Sequence, residues 1–133
     1  MKRCLLFMLL CAALLVGCGQ ARDRDDMDNA YRQVSQEEAA ALMASEEDYV
    51  LLDVRTPTEF AEGHIPGAVC LPNETIGTDN IPQLPDKDQL ILVYCRTGRR
   101  SKDAARKLSD LGYTQVVEFG GISTWEGPIE EGS

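Results

Sequence analysis

The stretch Leu90-Ile91-Leu92-Val93-Tyr94-Cys95-Arg96-Thr97-Gly98-Arg99-Arg100-Ser101 decides how the chain is read. Leu90 to Tyr94 is a short, apolar, β-rich block, the pattern of a buried strand. After Ser101, residues Ala104, Ala105, Leu108 and Leu111 share one helical face, and Gly112 is placed to end that helix. A tight loop beginning at Cys95 joins the two. A strand–loop–helix unit aims the loop amides and the helix dipole at one spot, which favours an anion there. Cys95 lies at that spot with Arg96, Arg99 and Arg100 beside it. Positive potential stabilises thiolate over thiol, so the reading predicts a partly exposed, nucleophilic sulfur with a depressed pKa. Ser101 is expected to cap the helix.

Working outward, Tyr31-Arg32-Gln33-Val34 reads as a short edge strand, and Ser35 with Glu38 as a capping box. Ala39, Leu42 and Met43 supply the buried face of a first helix. Tyr49 to Leu52 is an apolar strand running into Asp53-Val54-Arg55. Thr56, Pro57 and Glu59 spell a second helix start, with Phe60 as its apolar contact and Gly63 as its stop. Ala68 to Leu71 is a further strand, and residues 72 to 88 a loop with room for one helical turn. Val116 to Phe119 is the last strand, Gly120-Gly121 a turn, and Glu126 to Ser133 a frayed tail. Strands alternating with helices imply an α/β domain with a mostly parallel, five-stranded sheet flanked by helices. Ligands in such sheets sit beyond the carboxyl ends of the strands, where Cys95 and the Asp53–Arg55 pair fall.

The 133 residues suit one small domain with appendages. A formal charge of −9 argues against nucleic acid as a partner. Residues 1–17 read as a signal peptide. Lys2 and Arg3 precede the apolar run Leu5 to Val16, which is too short for a comfortable membrane span. The run ends Leu15-Val16-Gly17-Cys18, which resembles the lipobox of bacterial lipoproteins and implies lipidation of Cys18. Removing the signal takes the charge from −9 to −11. Residues 18–30 then form the lipidated cysteine and a polar tether reaching at most ~40 Å, and residues 31–133 the folded domain. Expected localisation is the cell envelope, lipid-anchored to a bacterial membrane. Gly19 is not the aspartate that marks inner-membrane retention in lipoproteins, so the outer membrane stays open as the site, with the domain in the periplasm or outside. Only Cys70 and Cys95 remain in the folded part, and whether they form a disulfide is left open.

Asp53-Val54-Arg55, Glu59-Phe60, Gly63-His64-Ile65-Pro66-Gly67-Ala68, Cys95 to Ser101 and Gly120-Gly121-Ile122-Ser123-Thr124-Trp125 occur in this order. Together they resemble a single-domain rhodanese over residues 31 to 128. The resemblance implies a thiosulfate sulfurtransferase, with Cys95 carrying a persulfide and Arg96, Thr97, Gly98, Arg99, Arg100 and Ser101 cradling the substrate. It implies supporting roles for Asp53 and Arg55, and a structural one for His64. A sulfane donor such as thiosulfate, and cyanide, a thiol or a protein as acceptor, would be the partners. No cofactor and no metal site is expected, since one histidine and two mature cysteines offer no ligand spacing. Two alternatives stand beside it. One is a non-enzymatic envelope sulfur carrier or binding module. The other is a cysteine phosphatase or arsenate reductase on the same fold, whose signature sets an arginine six residues after the cysteine; here that position is Ser101.

Overall fold

The computed structural model describes residues 31–77 and 80–133. The expected signal, the lipidated Cys18 and the tether lie outside the described residues. In chain order the elements are β1 (Arg32–Gln33), α1 (Gln36–Ser45), β2 (Tyr49–Asp53), α2 (Pro57–Glu62), β3 (Val69–Cys70), β4 (Leu90–Cys95), α3 (Arg99–Asp110) and β5 (Gln115–Gly121). Single 3-10 turns follow β3 (Asn73–Thr75) and β5 (Ile122–Thr124). The five strands form one sheet in the order β1-β5-β4-β2-β3, and every pair is parallel. The apolar run 90–94 occupies the centre, where both faces are covered and a strand without polar alternation belongs. The two edge strands are only two residues long, which limits the unpaired backbone they present.

Side chains alternate across β4. Ile91, Val93 and Cys95 point into the core beneath α3, with Leu52, Val54, Ala104, Ala105 and Leu108. Leu92 and Tyr94 join Ala39, Leu51, Ile65, Val117 and Phe119 on the opposite side, under α1. Leu42, Met43 and Trp125 complete that second core as partly buried residues.

The second helix start forms as read: Thr56 Oγ1 accepts from the Glu59 amide, and the Glu59 side chain reaches back to the Thr56 amide. At the first helix only half the box forms. Ser35 Oγ accepts from the Glu38 amide at 3.1 Å, but the Glu38 carboxylate turns to Arg32 at 2.6 Å. Gly112, in the left-handed region at φ 95°, ends α3. The tail is not frayed. His64 and Glu130 pair as an antiparallel bridge through two bonds of 2.8 Å, and the Gly132 amide donates to Ala61 O at 2.9 Å. A backbone pairing this short carries no side-chain period, so no sequence pattern announces it. His64 Nδ1 donates to Phe60 O at 2.8 Å and its ring stacks on Phe60 with centroids 3.8 Å apart, so it secures α2 to the following loop.

Cys70 and Cys95 are both free. Cys70 sits opposite Asp53, which sits opposite Tyr94. Cys70 therefore shares the Tyr94 face, two strands from β4, while Cys95 points to the other face. Two strand spacings come to roughly 9.6 Å, beyond the ~7 Å between Cα atoms that a disulfide tolerates.

Candidate active site

The loop after β4 folds over its own cysteine because two glycines allow it. Gly98 adopts φ 104°, a left-handed conformation that a side chain resists, and it forms the N-cap of α3. Gly121 at the end of β5 lies directly behind the loop. A methyl group there would overlap the Arg96 carbonyl and the Thr97 amide nitrogen, both backbone atoms. We expect Gly121→Ala to push the loop away, cost about 1–3 kcal/mol of stability and reduce turnover ~100-fold through misplacement. Denaturant melts and steady-state rates check both.

Cys95 is only 1% exposed, so the sulfur is recessed, contrary to the expectation of partial exposure. The Gly98 amide donates to Sγ at 3.0 Å, and Ser101 Oγ lies 3.5 Å away. Burial alone pushes the thiol up. Hydrogen bonds from the Ser101 side chain and from the amides of Ser101, Gly98 and Thr97 pull it down further, leaving it below the ordinary thiol value. The nucleophile is thus tuned chiefly by fixed local donors, with the Arg100 charge adding to them.

The arginines have separate fates. Arg100 makes a two-point ion pair with Glu59, at 2.7 and 2.9 Å, and is not left free to face a dianion. This pair ties the loop to α2. Arg96 and Arg99 are exposed. Six of the nine Lys and Arg residues after residue 30 lie between Arg96 and Lys107, so this face is cationic on an acidic protein. Ser101 does not cap α3. It falls inside the first turn, fully buried, because the helix begins two residues earlier than its apolar period suggests.

The Arg100 guanidinium holds the Glu59 carboxyl at about 2, far below the ordinary 4.5. Glu59 therefore adds stability that is complete above pH 4.5 and vanishes as pH falls to about 2. Glu59→Gln should cost about 1 kcal/mol at neutral pH, a partly exposed pair being screened by water. Thermal melts of variant and parent should converge near pH 2.

Asp53 and Arg55 form the support beneath. Arg55 Nε and Nη2 bond the Asp53 carboxylate at 2.9 and 2.6 Å, and Nη2 also donates to Gly63 O at 2.7 Å. Asp53 is 0% and Arg55 6% exposed. A depression of about 310 Å³ opens beside the loop, lined by Arg55, Glu59, Gly63, Arg96, Ile122 and Ile129. Ile129 belongs to the tail, so the tail builds one wall of this mouth.

Three residues escaped the sequence reading. The sequence shows Glu59 as a capping residue and a motif position, with no sign of its pairing to Arg100. It shows Gly121 as a turn residue, whereas Gly121 ends β5. Glu118, at 3% exposure, bonds Ser101 Oγ at 2.6 Å. A carboxylate within the apolar strand Val116 to Phe119 was the available signal, since buried acids are rare unless paired.

The pattern of the rhodanese-like domain family matches residues 35–127. The chain belongs to that family. It is 38% identical over 94 residues to a sulfurtransferase of Allochromatium vinosum, covering 70% of this chain and 86% of the relative. It is 37% identical over 71 residues to the thiosulfate sulfurtransferase PspE of Escherichia coli K12, covering 53% and 68%. Among solved structures, a rhodanese with anions from E. coli superposes with a TM-score of 0.58 at 33% identity, covering 63% of this chain and 99% of that one.

Proposed function

We propose that the protein is a thiosulfate sulfurtransferase working through a Cys95 persulfide. The observation that carries this reading is the recessed Cys95 sulfur ringed by loop donors at the head of α3. The Cys95 thiolate attacks the outer sulfur of thiosulfate. A new S–S bond forms, the old one breaks, and sulfite leaves with its electron pair. The loop amides and Ser101 that stabilise the thiolate also face the persulfide. Cyanide or a thiol then attacks the outer sulfur and the Cys95 thiolate departs, a double displacement. Among the described residues the other cysteine, Cys70, lies out of reach, so the acceptor is taken to be an external one.

Of the three loop arginines, Arg96 and Arg99 are those not held by Glu59 and so available to an anionic donor, and a rhodanese of this fold has been solved with anions. Arg96→Ala or Arg99→Ala should raise KM for thiosulfate about tenfold, equivalent to ~1.4 kcal/mol, with kcat changed far less. An equal effect on a neutral persulfide donor would argue against charge recognition.

A phosphatase reading needs a guanidinium six residues after the cysteine. That position is Ser101, and neighbouring Arg100 is held by Glu59. Thiocyanate formation from thiosulfate and cyanide, run beside p-nitrophenyl phosphate hydrolysis, decides. Phosphate release without thiocyanate overturns the sulfurtransferase, and failure of both leaves the binding module. We also propose, from Leu15-Val16-Gly17-Cys18, export and lipidation at Cys18. Palmitate labelling that disappears in Cys18→Ala is the expected result, and an unlabelled parent chain overturns it.

A further inference from the structure

The steps above give Glu118 no task, yet its burial demands one. It stands in β5 at 3% exposure, in a strand that is otherwise apolar around it. A carboxylate taken out of water is costly unless its oxygens are bonded. Here Oε1 receives the Ser101 hydroxyl at 2.6 Å and the Gly120 amide at 2.8 Å. Both partners are backing for the Cys95 loop.

The Ser101 hydroxyl has one proton and four oxygen or sulfur neighbours. They are Glu118 Oε1 at 2.6 Å, Gly98 O at 3.0 Å, Gly120 O at 3.3 Å and Cys95 Sγ at 3.5 Å. A hydroxyl gives its proton along one direction at a time. The shortest contact is to a carboxylate, and charge-assisted bonds are the strong ones. The sulfur is the farthest of the four. With the proton turned to Glu118, the serine oxygen faces Cys95 with lone pairs and accepts from the thiol. That arrangement favours S–H over S⁻. With the proton turned to sulfur, the same serine stabilises the thiolate.

We propose that Glu118 is a positioning residue for Cys95, which sets through the Ser101 hydroxyl how readily the sulfur ionises. It rests on Cys95 being the nucleophile, but its test needs no sulfur transfer. The other charged or titratable groups nearby are few. Tyr31, beside β1, interacts with Glu118 and with Arg106 of α3. Arg100, paired with Glu59, acts on Cys95 and Asp53 through its charge. β4 presents Val93 in register with Glu118, and β1 presents Gln33, neither of which titrates.

Iodoacetamide alkylation, followed against pH on the Cys95 peptide by mass spectrometry, reads the ionisation of that sulfur apart from the other cysteines. In Glu118→Gln the amide is a weaker acceptor, so the hydroxyl turns to sulfur. The midpoint should fall by about one pH unit, a tenfold faster reaction below it. Ser101→Ala alone should raise the midpoint, since it removes the side-chain donor to the sulfur, and Glu118→Gln added to it should bring no gain. Glu118→Asp keeps the charge but withdraws the carboxylate by one methylene, and should behave as the Gln variant does. It also decides the matter if Glu118→Gln loses its native circular dichroism. An unchanged or raised midpoint in a folded Gln variant overturns the proposal. So does an equal gain without Ser101, or a parental midpoint in the Asp variant, since either assigns the effect to charge through space.

Discussion

Cys95→Ser will take up no sulfur from thiosulfate and will form no thiocyanate above background, while melting within about 1 kcal/mol of the parent. The two halves of this result follow from the same geometry. The side chain is 1% exposed and lies in a close-packed core beside Ala104, Ala105 and Leu108. Oxygen is smaller than sulfur and can accept the Gly98 amide that now reaches Sγ at 3.0 Å. A buried polar atom that keeps its hydrogen bond costs little. The chemistry has no such substitute. The cradle lowers a thiol from an ordinary value of 9.0, whereas a serine hydroxyl starts far above that and, among the described residues, has no base placed to take its proton. A loss of at least 1,000-fold is expected for a nucleophile removed from a covalent mechanism. Intact-mass measurement after thiosulfate should show one added sulfur on the parent and none on the variant. An adduct that survives in Cys95→Ser would move the chemistry to another of the five cysteines and overturn the assignment to Cys95. A parent that takes up no sulfur leaves the chain as a binding module.

What the sequence disclosed follows from range. The apolar blocks 49–52 and 90–94, and the Thr56-Pro57-Glu59 helix start, are local signals. Their consequences, a central buried β4 and a well-capped α2, are present in the structure. The glycine at 98 and the cysteine at 95 are three residues apart, so a turn folding an amide onto sulfur was legible. Contacts that close over long separations were not. Arg100 and Glu59 are 41 residues apart, and no local pattern tells a paired guanidinium from one facing solvent. Reading three arginines as one anion site therefore overcounted the free charge. Ser101 and Glu118 are 17 residues apart on neighbouring elements, and only the α3–β5 packing reveals that the serine faces inward. The start of α3 was placed late because its apolar face begins at Ala104, while its first turn is built from arginines and a buried serine. Recession of the sulfur is likewise a product of packing, with β5 on one side and α3 above.

Arg55→Ala will be the most destabilising single substitution among the polar residues discussed, costing about 3–5 kcal/mol. The Asp53 carboxylate is fully buried and is held by three contacts from the guanidinium, between 2.6 and 3.1 Å, with one more from the Arg55 amide at 3.0 Å. Truncation at Arg55 leaves only the amide and the Tyr94 hydroxyl, both uncharged. An ionised group stranded away from water is the expensive case, far worse than losing a surface pair. Gly63 O would lose its donor at 2.7 Å as well, and the guanidinium over the Tyr94 ring at 6.0 Å would go. Small domains hold only about 5–15 kcal/mol in total, so the variant should melt more than about 12 °C below the parent. Removing both charges tests whether the penalty belongs to the stranded acid. Asp53→Leu with Arg55→Met replaces the pair by apolar side chains of similar bulk, a change often neutral for buried pairs. The double variant should recover most of the lost stability. Its thiosulfate turnover should stay below the parent's, because Arg55 also lines the mouth beside Arg96. A double variant as unstable as Arg55→Ala would locate the energy in the bond to Gly63, with the carboxylate contributing little. Full stability with full turnover would show that the pair serves neither the fold nor the site.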